Sequence, residues 1–540
     1  MSRVTRVIVP LSVVALVATA CATSTGTAKK PATAKVTETS LIADTGPEPG
    51  AVRQHFEFGP IDVKPGQNNI AYSFAGIPKP SIDGWIVRIA PNLRLADGTV
   101  PPVDVIHLHH GVWLNMSAKD ATTGGALPER FFAVGEEKTI MMLPQGYGYA
   151  YHASDHWLLN YMLHNLTSKP DKVWITYDID IIPSTAPEAA TIKPARPIWM
   201  DVQNGSAYPV FDVPKGGGQN GKYVYPDDAV DPYKPARQRP GRRSRNTNPL
   251  DNGAPKNQWV VDQDGILLTT AGHLHPGGLQ TDMYVQRAGA TALKGHSKPG
   301  HPDTAHLFTS VAHYYEPLGP VSWDVSMTGT PPNWNVQLHK GDVLSINTTY
   351  DSARAAWYEG MGIMVAWMAP GENGNNPFTT AVDKPGLLTH GHLAENNNHG
   401  GQPAPNDYVD ATKLPSQPPT DTIYIDNFVY SKGDLSVANS IPTVVQGNSI
   451  KFVNNDAPLG NGIWHTITAC QAPCDLSTGI GYPIANAAIQ FDSGELGTGG
   501  PPTANRVDWS TPTDLPPGTY TYFCRIHPFM RGAFRVVPKA

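Results

Sequence analysis

The sequence predicts an all-β protein assembled from short-stranded sandwiches. Three observations carry this reading. Gly (51) and Pro (52) together supply 103 of the 540 residues, well above the roughly 12% of an average chain, and they follow no collagen-like period. Residues that break helices at this density favour a turn-rich chain. Alternating apolar stretches bounded by Gly, Pro, Asn and Asp recur along the chain, as at Ile86–Ile89, Lys172–Tyr177 and Asp342–Ile346, which is the pattern of short strands. Helical periodicity is sustained nowhere over about a dozen residues.

Length and composition narrow the function. At roughly 150 residues per domain, the chain holds about three domains and their connections. An apolar fraction of 40% fills large cores and excludes wholesale disorder. A formal charge of −6 supplies no basic face to neutralise phosphates, so no nucleic-acid partner is expected. Nineteen His, 12 Met and 12 Trp beside only 4 Cys point to metal chemistry.

Residues 1–21 read as an export signal. Arg3 and Arg6 form a positive n-region, and Val7–Ala20 is an apolar run too short to span a bilayer. Ala18-Thr19-Ala20-Cys21 reads as a lipoprotein cleavage site with acylation of Cys21, with an ordinary A-x-A peptidase site as the alternative. Residues 22–45 read as a flexible tether. The expected location is extracytoplasmic, in the cell envelope, lipid-anchored or secreted, with membrane contact only through that anchor. In such an oxidising compartment Cys470 and Cys474 can pair as a disulfide across a three-residue loop, which leaves Cys524 single.

Composition places domain boundaries near 200, 370 and 420: domains at 46–200, 201–370 and 421–540, with a Pro/Asn/Gly-rich linker at 371–420. Residues 214–257, rich in Gly, Pro and Arg, read as a long surface loop. His390, His392 and His399 in the linker read as a solvated polar run, with copper loading or domain bridging as the alternative.

The C-terminal domain carries the most specific motif. Cys524, His527 and Met530 recur at a spacing of three, and His465 stands upstream after the strand Ile450–Asn454. One thiolate, two imidazoles and a thioether are the donors of a blue copper site. Residues 421–540 closely resemble the cupredoxins, and the short C-x-x-H-x-x-M loop looks like that of amicyanin. The resemblance implies a Greek-key sandwich with His465, Cys524 and His527 as strong ligands and Met530 as the weak axial one.

Earlier in the chain, His107, His109 and His110 fall in one string and His164 in a second. His273 and His275 form an H-x-H, and Met361 follows Trp357-Tyr358-Glu359-Gly360. On a strand, His273 and His275 project from one face and can reach one metal. In order and context, residues ~50–370 resemble the copper type II monooxygenases, the peptidylglycine α-hydroxylating and dopamine β-monooxygenase family. That likeness implies two nested jelly rolls, each presenting one copper, with a cleft between them. It assigns His109, His110 and His164 to an electron-supplying copper, with His107 as an alternative or additional ligand. It assigns His273, His275 and Met361 to an oxygen-activating copper, so these three are the expected catalytic residues.

Two departures qualify the resemblance. The family stitches its domains with disulfides, whereas residues 22–469 contain no Cys. Peptide-processing members hold a substrate carboxylate with Arg, Asn and Tyr, where this chain has Ala271, Ile363 and Val365. An apolar trio cannot compensate the desolvation of a carboxylate, so an uncharged small or apolar substrate is expected.

The expected function is therefore an exported copper monooxygenase that uses O2 and a reductant or redox partner to hydroxylate a C–H bond. Its cupredoxin supplies electrons, and one type 1 copper and two further mononuclear coppers are implied. The alternative is a non-catalytic copper-binding or electron-transfer protein. A laccase-like reading fails, because Phe523 and Arg525 rather than His flank Cys524.

Overall fold

The computed structural model describes residues 46–539, without 230–255, 290–302, 315–324, 391–409, 458–462, 472–489 and 499–505. Shorter breaks fall at 65–66, 68–69, 102, 104, 166–168, 206–208, 214–215, 354–356, 436, 495, 525–526 and 528–529. The chain is all-β, and its only helical segments among the described residues are short 3-10 turns such as Ala121–Thr123 and Pro187–Thr191.

In the first domain, strands Val52–Val63, Asp171–Pro183, Gly84–Leu95 and Tyr147–Tyr151 lie side by side. The facing sheet runs Ile70–Ser73, Trp157–Asn165, Ile106–Lys119, Pro128–Gly135. Reading across both sheets, first pairs with last and second with second-to-last, which is the jelly-roll order. The second domain repeats it. Arg196–Asp201, Gly362–Ala369, Gly265–Leu274 and Val325–Gly329 are neighbours, followed by Thr304–Tyr314, Gly278–Gln286, Val343–Asp351 and Lys222–Tyr225.

The wall between the two domains explains the continuous apolar strands there. In Gly265–Leu274, Leu267 enters the second domain's core while Ile266 and Leu268 enter the first's. In Gly362–Ala369, Met364, Ala366 and Met368 face one core, and Trp367 and Ala369 the other. A strand buried on both faces loses its polar alternation. Truncating an indole as buried as Trp367, 2% exposed, to Ala costs about 3–5 kcal/mol, and here the loss falls between two domains.

The third domain is a two-sheet sandwich. One sheet orders Ser416–Pro419, Ile441–Val445, Arg531–Val537, Gly518–Phe523, Thr468–Gln471 and Phe491–Asp492, and the other Val429–Tyr430, Thr422–Asp426, Lys451–Asn454 and Asp508–Ser510. Parallel pairings of Thr422–Ile425 with Lys451–Asn454, and of Thr443–Val445 with Arg535–Val537, give Greek-key crossovers.

Three expectations from composition change. Residues 371–390, expected in a linker, belong to the second domain: Leu387–Leu388 pairs with Thr328–Gly329, and Trp334 Nε1 donates to the Val382 carbonyl at 3.0 Å. Gln337 Nε2 donates to the Gly371 carbonyl at 3.1 Å. Specific hydrogen bonds can hold a Pro/Asn/Gly segment that has no apolar pattern of its own. The third domain begins before 421, since Ser416–Pro419 runs parallel to Ile441–Thr443 and Asp410 caps the turn ahead of it. Within the expected surface loop 214–257, Lys222–Tyr225 is an edge strand on Thr348–Asp351. The signal and tether at 1–45, Cys21, Cys474, His392 and His399 lie outside the described residues, as does the side chain of Cys470.

Candidate metal centres

The third domain closes a complete donor set. One donor atom from each of His465, Cys524 and His527 lies within 4.8 Å of the others, all three residues buried. Cys524 Sγ is 3.8 Å from His465 Nδ1 and 3.6 Å from His527 Nδ1, and the two Nδ1 atoms are 3.1 Å apart. His465 Nε2 lies 2.9 Å from Asp456 Oδ2. A carboxylate accepts, so Nε2 carries the proton and Nδ1 turns its lone pair toward the thiol. A sulfur and two ring nitrogens converging out of water are a poor arrangement alone and a good one around a soft or borderline cation. Copper fits this donor set.

Local structure explains how the chain gets there. Strand Gly518–Phe523 delivers Cys524 to the sandwich end, and the loop folds back through Met530 N–H on the His527 carbonyl (2.8 Å) and Cys524 N–H on the Met530 carbonyl (3.1 Å). Met530 is buried at this loop. The Thr466 and His527 amides donate to Cys524 Sγ at 3.3 and 3.4 Å, as suits a thiolate. Burial opposes the charge, but His527 and His465 hold the thiol well below its ordinary range. Asn454 Nδ2, donating to the Ile463 and Leu496 carbonyls at 3.1 and 2.9 Å, pins the segment that carries His465.

Between the first two domains a group of imidazoles gathers. His107 and His164 are directly opposed across Ile106–Lys119 and Trp157–Asn165, with His107 Nε2 3.2 Å from His164 Nδ1. His107 Nδ1 lies 2.5 Å from the Val103 carbonyl, so that nitrogen is the proton-bearing one. A register shift between Leu108 and His110 interrupts strand alternation and brings the consecutive His109 and His110 to the same cavity. Ring centroids of His109 stand 4.7 Å from His164 and 4.6 Å from His275 of the second domain. His273 and His275 are 5.3 Å apart.

Of the expected sets, His109 and His164 are neighbours, whereas His110 turns to Asn160 Oδ1 at 3.0 Å, and His107 takes the nearer place at His164. His275 joins His109 across the interface. His273 pairs instead with Glu137, Nδ1 to Oε2 at 2.9 Å. Met361 opens onto the same cavity as His109, His110, His273 and His275. Burial lowers His107 and His110 to about 4. It also drives His109 and His164 well below the ordinary imidazole value, with neighbouring imidazoles adding to the shift. Neutral imidazoles are the form that binds metal. His273 behaves oppositely: burial works against the charge, but Glu137 and Glu136 raise it to about 9.

The cavity measures about 490 Å³. Ala271, Ile363 and Val365 line it, with Trp199, Trp367 and Phe132 among the apolar neighbours. Arg130, which lines it, is engaged: Nε donates to Asp120 at 2.7 Å, Nη2 to Asn204 at 3.0 Å, and the guanidinium lies 4.5 Å from the Trp199 ring centre. The third domain reaches this region. Phe523, next to Cys524, is part of the second domain's buried cluster, and His527 is among the neighbours whose charge disfavours protonation of His164.

Sequence reasoning missed four participants. Asp456 stands nine positions from His465 with no motif to mark it. Tyr350 sits inside a Thr-rich strand, yet its hydroxyl accepts the His275 and Met361 amides at 3.1 and 2.8 Å and donates to the Met361 carbonyl at 2.8 Å. Glu136 and Glu137 stand in a Gly-Glu-Glu-Lys turn that carries no motif, yet both are buried.

No protein-family model matches the chain, and no curated protein matches it. Among solved structures the chain is similar to the copper-containing nitrite reductase of Thermus scotoductus SA-01, at 16% identity and a TM-score of 0.15. The match covers 51% of this chain and 55% of that one, so the chain spans about half the length of that structure. At such a score the functional reading rests on the donor sets themselves.

Proposed function

We propose that this chain is an extracytoplasmic copper oxidoreductase, an O2-using monooxygenase that hydroxylates a C–H bond of an uncharged, apolar substrate. The observation that carries the reading is the shared cavity: His109, His110, His273, His275 and Met361 open onto one apolar chamber between two jelly rolls. In this reading His109, His110 and His164, with His107, hold one copper, and His273, His275 and Met361 hold another. His465, Cys524, His527 and Met530 hold a type 1 copper. Copper at the interdomain positions supplies one-electron chemistry and O2 binding when loaded.

The chain's own residues set the rest. Ala271, Ile363 and Val365 provide no partner for an anion, so a carboxylate entering the chamber loses its hydration without compensation. The apolar walls favour a neutral hydrophobic group. Tyr350 positions the backbones of His275 and Met361 together. The third domain, which packs on the second through Phe523, supplies electrons, and a covalently attached donor is always at high effective concentration. In this reading residues 1–21 export the protein, which is lipid-anchored at Cys21 or secreted.

The test is copper stoichiometry by elemental analysis and electron paramagnetic resonance on the mature protein, with reductant-dependent O2 uptake. Neutral hydrophobic candidates are compared with glycine-extended peptides. Three coppers with turnover of the neutral class are expected. Turnover of the peptides would defeat the chamber argument. Copper without any turnover would leave a non-catalytic copper-binding or electron-transfer protein, the reading favoured by the replaced anchor positions.

A further inference from the structure

Glu136 and Glu137 follow the strand Pro128–Gly135 at the boundary of the first two domains. Glu136 is 4% exposed, and among the described residues neither of its carboxylate oxygens has a hydrogen-bond partner. Glu137 is 2% exposed; its Oε1 accepts the Gly135 amide at 3.0 Å and its Oε2 lies 2.9 Å from His273 Nδ1. One donor atom from each of Glu136, Glu137 and His273 lies within 4.8 Å of the others. The turn is built tightly around them. A Cβ at Gly135 would stand 2.6 Å from both Glu137 Oε2 and His273 Cε1, so a side chain there would push into the cluster.

A buried carboxyl with both oxygens unbonded is rare and costly in a folded chain. Protonation alone leaves the difficulty in place, because the new O–H also needs an acceptor. A cation between the two carboxylates and the imidazole satisfies every group at once.

We infer that Glu136, Glu137 and His273 form an interdomain binding site for a divalent first-row metal ion. Two carboxylates and one imidazole are hard to borderline donors, which suit Mn(II), Zn(II) or Cu(II) and disfavour Cu(I). The ion fastens the first domain, which supplies both carboxylates, to the second, which supplies His273. The inference goes beyond the copper reading in one respect: His273, which that reading gives to a copper with His275 and Met361, also faces two buried carboxylates.

Mn(II) is the selective probe, since thiolate, thioether and all-imidazole sites hold it weakly. Metal-free full-length protein is titrated with Mn(II), and free ion is followed by its electron paramagnetic resonance signal. Wild type should take up one Mn(II) per chain, and its melting temperature should rise with Mn(II) concentration. Glu136→Gln and Glu137→Gln should each lose that uptake and that rise, while melting cooperatively without metal. His275→Ala and Met361→Leu, whose copper content tests the copper reading, should keep both. Absence of Mn(II) uptake by the wild type would overturn the inference, as would uptake that survives Glu136→Gln or is lost in Met361→Leu.

Discussion

Tyr350→Phe isolates one oxygen atom. The ring is fully buried and meets Phe211 edge-on at 5.4 Å, and phenylalanine keeps that packing. What disappears is the acceptor of the His275 and Met361 amides and the donor to the Met361 carbonyl. A buried group left without its partner costs about 1–3 kcal/mol. Two stranded amides, less the relief of no longer burying the hydroxyl, give a net loss of about 3 kcal/mol. For a domain of 150–250 residues each kcal/mol moves the melting temperature by roughly 2–4 °C, so a fall of about 6–12 °C is expected. Differential scanning calorimetry of wild type and variant, side by side, reads it. The same variant should bind copper more weakly at the site containing His275, because both ligand backbones lose their common anchor. A shift below about 2 °C with unchanged copper affinity would refute the clamp.

Other outcomes follow from the same geometry. Cys524→Ser should abolish the intense thiolate-to-copper absorption, and a blue protein surviving it would remove the type 1 assignment. Asp456→Asn takes a buried negative charge from His465 and should raise the reduction potential of the copper-loaded third domain, as voltammetry would show; an unchanged or lower potential counts against the pairing. In the metal-free protein Asp456 is held below its ordinary value, against burial, by His465 and by the Asn427 and Phe428 amides. His465 is held above its own, again against burial, chiefly by Asp456. The lowered carboxyl gives stability present above its ordinary value and lost as pH falls through its folded value. The raised imidazole gives stability present below its ordinary value and lost as pH rises through its folded value. Urea midpoints should therefore be highest in the mildly acidic range between the ordinary carboxyl and imidazole values and fall on both sides of it, and Asp456→Asn should flatten both limbs. Phe523→Ala should slow reduction of the interdomain coppers by the third domain in stopped-flow traces, and an unchanged rate would argue against docking through that residue.

The sequence by itself determined the all-β class, the third domain's donor set and the pool of jelly-roll histidines. Each shows in a local pattern: Gly and Pro density, period-two alternation, and Cys, His and Met within one short loop, although His465 reaches that loop from 59 positions upstream. The domain ends at 390 and 410 were hidden, because Gln337, Trp334 and Asp410 hold segments with no apolar pattern. Only tertiary structure decided how the histidines are grouped. A register shift at Leu108–His110 sends His109 and His110 to one cavity against strand alternation, and packing across Trp367 and Leu268 carries His275 to His109 from another domain. Glu136 and Glu137 show the same limit. A Gly-Glu-Glu-Lys turn is solvated in most settings, and burial reverses its meaning when a second domain lays His273 over it. Burial and cross-domain distance are set by contacts between residues far apart in the chain, 136 positions for Glu137 and His273, and no local pattern of residues encodes them.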